Sequence, residues 1–375
     1  MGTEERADAV TPSAPPTPEV TAPAPPLASP PRRRRLGLEL TVIAVVGVIA
    51  LGAFAAGASV LYRELYSPSA FVLRYLDLLA EGRAADALAV PGVAVDSAAL
   101  EDAGLSPTAS TALLRSDALG DLSDVRVVSE VPGDDATRVT VAYRAGAHDG
   151  ETTFDVAQDG WLGVVPAWRF ERSPLAVMDL VVRGSMRFAV NDFEVDKRQV
   201  SIDGVDADPM AAVPLLIFSP GVYSVDVDTP ISATPGAAVL ADSPFVSIPV
   251  DMQATATTEF IDVVQGKVEE FLAACATQQV LQPTGCPFGF SVQNRVVGLP
   301  SWSISEQPTV TVLPDGAGWK IPTAEAVARI DVDIRSLFDG SVRTVSEDVP
   351  FFVNGTIEVL PDGSVSIKVS GSEGE

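Results

Sequence analysis

The chain has 375 residues with 50 acidic and 25 basic side chains, one histidine and two cysteines, for a formal net charge of −25. Such a surface repels nucleic acid, whose binding depends on Lys and Arg neutralising phosphates. With so little histidine and cysteine, a His/Cys zinc site cannot be assembled, no Cys–His nucleophile pair has a setting, and no motif implies a cofactor.

Residues 1–35 are expected to be a disordered, Pro-rich cytoplasmic tail. Nine prolines fall between Thr11 and Pro31 with little aliphatic bulk, so no core offsets the entropy of ordering. A polyproline-like linker is one use of such a tail. Phosphorylation at Thr11-Pro12 or Thr17-Pro18, read by a basic pocket, is another.

Leu40–Tyr62 reads LTVIAVVGVIALGAFAAGASVLY, without a charge. About 20 apolar residues at 1.5 Å each cross a bilayer core, and in lipid such a run must be helical. Arg32, Arg33, Arg34 and Arg35 precede it and Arg63 follows. The positive-inside rule then predicts a single-pass transmembrane helix over 36–62 in the cell membrane, with the lipid bilayer as partner, the N-terminus cytoplasmic and the C-terminal bulk extracytoplasmic. A buried core helix is seldom this long. A cleaved secretory signal has Ala53, Ala55, Ala56 and Ala58 in its favour, but its apolar core is ordinarily shorter. Gly52 and Ala56 have the spacing of close helix–helix contacts. Five acids and five arginines cancel up to residue 62, so the rest carries 45 acids and 20 bases.

Three hundred residues exceed one ordinary core, so two or three domains are expected beyond the span. Residues 63–172 read as an α+β cone-like domain. Ser67 and Pro68 start a helix, in which Phe71, Val72, Tyr75, Leu76 and Leu79 share a face. Gly82 stops it. Helices are also expected over Ala84–Ala89 and near Thr108–Leu119. Strands follow at Val125–Val131, Thr137–Tyr143, Thr152–Val156 and Leu162–Phe170, with turns at Pro132-Gly133, Asp149-Gly150 and Asp159-Gly160. Residues 173–252 are all strand and turn, a small β module punctuated by proline. Residues 253–375 read as a helix (Thr257–Cys275) with an antiparallel sheet, its turns at Asp315-Gly316, Asn354-Gly355 and Asp362-Gly363.

The run FVLRYLDLLAEGRAADAL (Phe71–Leu88), followed by strands ending in DGW (Asp159–Trp161), resembles the cone-shaped domains of the nuclear-transport-factor-like superfamily. The resemblance implies a bent sheet closing over the helices, and some relatives are isomerases that use an Asp base. With the single span, the layout is similar to Gram-positive or actinobacterial envelope proteins such as the teicoplanin-resistance-associated membrane protein family. That family's zinc ribbon has no counterpart here, since no cysteine precedes Cys275.

The residues themselves offer few chemical candidates. Tyr75, Trp161 and Trp168 are possible pocket aromatics of the cone, although core packing explains them as well. Cys275 and Cys286, with ten residues between them, are expected to form a disulfide. Asp331 and Asp333 share a strand face, and Asp203, Asp206 and Asp208 crowd one turn; solvated acids explain both groups. His148 lies in a polar loop. No catalytic, cofactor or metal residue is assigned. The expected function is a non-enzymatic, membrane-anchored extracytoplasmic binding or scaffold protein of the bacterial cell envelope, with cell-wall material or another membrane protein as partner. The alternative is a carboxylate-dependent envelope hydrolase or isomerase.

Overall fold

The computed structural model describes residues 40–52, 65–163, 165–360 and 364–370. The chain divides into two compact units, Met1–Tyr62 and Arg63–Glu375. In the first, the described residues 40–52 are helical. The Pro-rich tail, Arg32 to Arg35, Arg63 and the second half of the expected span lie outside the described residues.

Two expectations are corrected here. Among the described residues no helix is long and apolar enough to cross a membrane. At 1.5 Å per residue, the stretch 40–52 reaches only about 20 Å of the roughly 30 Å needed. The single-pass helix, the cell-membrane location and the division into cytoplasmic and extracytoplasmic parts fall with that finding. The fold class changes too: the protein is mostly β, 46% strand and 22% helix, rather than α+β modules on a transmembrane helix. Strands run longer than their turn signals suggest, and the helix expected near Thr108–Leu119 reduces to one 3-10 turn, Ser116–Ala118.

In the second unit, α1 (Pro68–Ala80) starts where Ser67 Oγ accepts the Ala70 N–H at 3.1 Å, with proline in the first turn. With α2 (Ala84–Leu88) and α3 (Ser97–Asp102) it packs on a four-stranded antiparallel meander. Its strands, in spatial and chain order, are β1 (Leu122–Pro132), β2 (Thr137–Ala145), β3 (His148–Leu162) and β4 (Val165–Phe170). Phe71, Tyr75, Phe154 and Phe170 fill the space between, with ring centroids 4.9–6.2 Å apart. Burying each such side chain contributes roughly 1.5–3 kcal/mol.

The next sheet is buried on both faces along two of its three strands. It orders β12 (Ser247–Gln253), β5 (Leu175–Arg183) and β8 (Val213–Phe218), with β5 and β12 parallel. Leu175, Val177, Leu216 and Phe218 face the first core. Their alternates Ala176, Met178, Leu180, Leu215 and Ile217 face a second core. The period of two in a strand makes that division automatic. The second core is closed by β11 (Ala237–Ala241), β9 (Gly221–Asp226), β6 (Arg187–Val190) and β7 (Phe193–Asp196), in that order. A short helix, α4 (Lys197–Val200), follows β7.

A two-residue pair, β10 (Ser232–Ala233) with β13 (Thr255–Ala256), leads into α5 (Thr258–Ala276). That helix lies on the last sheet, whose order is β14 (Arg295–Glu306), β16 (Gly318–Arg335), β17 (Val342–Val359) and β18 (Val365–Ser370), with β15 (Leu313–Asp315) also pairing with β16. Phe260, Val264, Val268, Leu272 and Trp319 form its core. Cys275 and Cys286 are bonded, with Cα atoms 5.8 Å apart.

Asn354-Gly355 is not the expected turn but lies inside β17, where Gly355 pairs with Ile321 on one side and Val369 on the other. A Cβ there would sit 2.6 Å from the Lys368 carbonyl oxygen, so the glycine serves close strand approach. Gly355→Val is therefore expected to cost about 1–3 kcal/mol through overpacking, read as a lower urea midpoint; an unchanged midpoint would restore the turn reading. Replacing both cysteines by serine opens the Cys275–Cys286 loop. On chain-entropy arithmetic that removes about 2–3 kcal/mol in the same assay.

Candidate functional site

The three aromatics expected in a cone pocket do not come together. Tyr75 is fully buried, its hydroxyl donating to the Ser219 carbonyl at 3.1 Å, and packs edge-on against Phe154 and Phe170. Trp168 is half-buried and donates its indole N–H to the Tyr66 carbonyl at 2.9 Å. Trp161 is 63% exposed. They hold the module together and present one ring to solvent.

The acidic candidates also disperse. Asp333 accepts from Thr344 Oγ1 at 2.6 Å, and Asp331 accepts a short hydrogen bond from Ser346 Oγ. Both are exposed and tied across to β17. Asp208 caps its own turn by accepting the Met210 N–H at 2.8 Å, and no cluster that could hold a metal ion occurs among the described residues. His148 is exposed at the start of β3.

Two of the clefts among the described residues gather side chains of one kind. A groove of about 660 Å³ runs between α5 and β18, lined by Phe260, Val263, Phe271, Val365, Ile367 and Val369, with Glu259 and Lys267 as its charged groups. β18 pairs with β17 on one side, and among the described residues the sheet ends there. The apolar face of α5 is wider than the sheet covers. Phe260, Val264, Val268 and Leu272 are buried, whereas Val263 stays 58% exposed in the groove. The sequence places Val263 on the same face as these residues, and that extra breadth was the signal of a groove.

The other cleft, of about 620 Å³, lies along β6, β7 and the end of β9. Asp192, Glu194, Asp196, Asp226 and Asp228 line it, with Arg187 as its basic group. Burial, then repulsion from Asp192 and Asp228, raises the Asp226 carboxyl above its ordinary range. Asp196 moves the other way, because hydrogen bonds from Arg198 hold its carboxyl down. Sequence reasoning missed this cluster, although Asp226 and Asp228 alternate in YSVDVD and so share a face.

Neither a family model, nor a curated protein, nor a solved structure matches the chain.

The raised Asp226 carboxyl gives a signed prediction. The folded chain holds this proton more tightly than the unfolded chain, so its contribution to stability is present below pH 3.8 and is lost as pH rises through the folded value. Asp226→Asn is expected to raise the melting temperature at pH 7 and to flatten its decline between pH 4 and 7, in a calorimetric pH series spanning that range. A variant that melts lower than the parent at pH 7 would contradict the repulsion.

Proposed function

We propose that the chain is a non-enzymatic binding or scaffold protein that captures an extended segment of a partner by strand addition at β18. The groove beside that edge carries the reading: the strand edge offers backbone hydrogen bonds, and the groove receives alternate side chains of the added strand. An edge strand left open beside apolar side chains is otherwise a pairing hazard that proteins cover or blunt. Lys368, paired with Glu358 at 3.4 Å, puts one charge on this edge strand. Val365, Ile367 and Val369 remain only half-buried.

One observation favours a second reading, the carboxylate-dependent hydrolase or isomerase. The acidic cleft sets the Asp226 carboxyl, raised by burial and by its neighbours, beside Asp192 and Asp228, the grouping of acids such chemistry draws on. A folded chain that turns over no ester, glycoside or β,γ-enone substrate would remove that reading.

Peptides selected on the full chain from a random library test the first reading. Their expected pattern alternates apolar residues, and binding is expected to slow hydrogen exchange at the β18 amides. Val263→Asp is expected to weaken them about tenfold by placing an unpaired carboxylate in the groove. Selected peptides indifferent to that change, with β18 amides unprotected, would reject strand addition.

A further inference from the structure

A cavity of about 400 Å³ opens where the turn after β5 meets the Val205–Pro209 loop and the end of β17. Its lining differs in sign from the rest of the surface. Among the described residues no Asp or Glu lines it, and its charged groups are Arg198 and Arg187, the latter also at the edge of the acidic cleft, on a body with 45 acids against 20 bases.

The two guanidinium groups are held differently. Asp196 accepts from the backbone N–H of Arg198 at 3.0 Å, from its Nε at 2.9 Å and from its Nη2 at 2.6 Å. That carboxylate is committed to Arg198. Arg187 faces the same carboxylate across the β6–β7 pair, but its Nε stands 3.6 Å away and its side chain is 70% exposed. At that distance the contact is Coulombic rather than a hydrogen bond. The planar fork of Arg187 is thus poised to take an anion. Its backbone is fixed beforehand, since Ser185 Oγ accepts the Arg187 N–H at 3.2 Å and donates to the Arg187 carbonyl at 2.7 Å.

The facing wall is apolar and held in place from beneath. Lys197 is buried, and its Nζ donates to the carbonyls of Pro209 at 3.0 Å and Ala211 at 2.5 Å. Those bonds fix the end of a loop whose Val205 stands 81% exposed at the cavity mouth. Pro209, Ile231, Val359 and Leu360 continue the wall. An aliphatic side chain this exposed beside an apolar wall gains by being covered.

We infer that this cavity binds a single-chain amphiphile with an anionic head, the head on Arg187 and the hydrocarbon chain along Val205, Pro209, Ile231 and Leu360. Positive charge at one end and apolar surface at the other set the orientation. The site meets the β18 groove at Pro230 and Ile231 but takes its head group from Arg187, which the groove lacks, and it stands whether or not strand addition occurs.

Calorimetric titration of the full chain with decanoate tests the inference. One site is expected, with affinity falling about tenfold in Arg187→Glu, the scale of a lost charge-assisted hydrogen bond. A similar fall is expected in Val205→Asp, whereas Arg187→Lys keeps most of the binding and Val263→Asp all of it. Decyltrimethylammonium and decanol, matched in chain but not in charge, are expected to bind about tenfold more weakly or worse. Arg187 and Val205 are exposed, so circular dichroism should show both variants folded. No uptake of decanoate, binding unchanged in folded Arg187→Glu, or equal uptake of the decyl cation would each overturn the assignment.

Discussion

The short turn Thr229–Ser232 is the corner that three of the molecule's openings share. Thr229 accepts the Ser232 N–H on its Oγ1 at 2.9 Å and donates its own N–H to the Ser232 carbonyl at 2.9 Å. Ser232 is fully buried, so these bonds are shielded from water. Thr257 ties α5 to the same turn: its Oγ1 donates to the Pro230 carbonyl at 2.7 Å and its N–H to the Ile231 carbonyl at 3.2 Å. That threonine also caps the helix by accepting the Phe260 N–H. Pro230 lines the α5 groove, the acidic cleft and the Arg187 cavity alike. These three openings lie around one hydrogen-bonded corner.

Upstream of that corner the chain is continuous in its packing. Because β5 and β8 are buried on both faces, the first two cores share a wall rather than a linker. Moving either strand by one residue would exchange the side chains offered to the two cores. Such a shared sheet is rigid by construction, and the β6–β7 pair bearing Arg187 and Asp196 stands on the second of those cores. The charged groups of the cavity are therefore placed by close packing several residues away from them.

Much of the local structure was legible in the sequence because local chemistry decides it. Ser67 caps its helix where its hydroxyl reaches the backbone N–H three residues on, and Cys275 and Cys286 are close enough in sequence to meet. The turn dipeptides were less dependable. Asp315-Gly316 does turn the chain, with Gly316 at φ +60°. Asp149-Gly150 and Asn354-Gly355 instead lie within strands, and Asp159-Gly160 falls where the β3–β4 register shifts, with Gly160 at φ +85°. A glycine satisfies a tight turn, a bulge and a close strand neighbour equally well, and only the partner strand tells them apart. The strand β14 escaped notice for the related reason that Gly298 and Pro300 interrupt it at a bulge.

The candidate sites were illegible for a different reason. Inside the first module the aromatic side chains fill the space: Tyr75 packs against two phenylalanine rings. Close-packed interiors leave few voids. Two of the openings arise instead where residues far apart in sequence abut, as Met186, Val205, Ile231 and Leu360 do around the Arg187 cavity and Ile231, Val263 and Val365 do along α5. Nothing in the hydrophobic period of any one segment encodes that meeting. What each segment does carry is a surplus, an apolar face broader than its own sheet or an arginine whose nearest carboxylate is already engaged. Such surpluses become informative once the topology sets them beside one another, and in this chain it does so around Pro230.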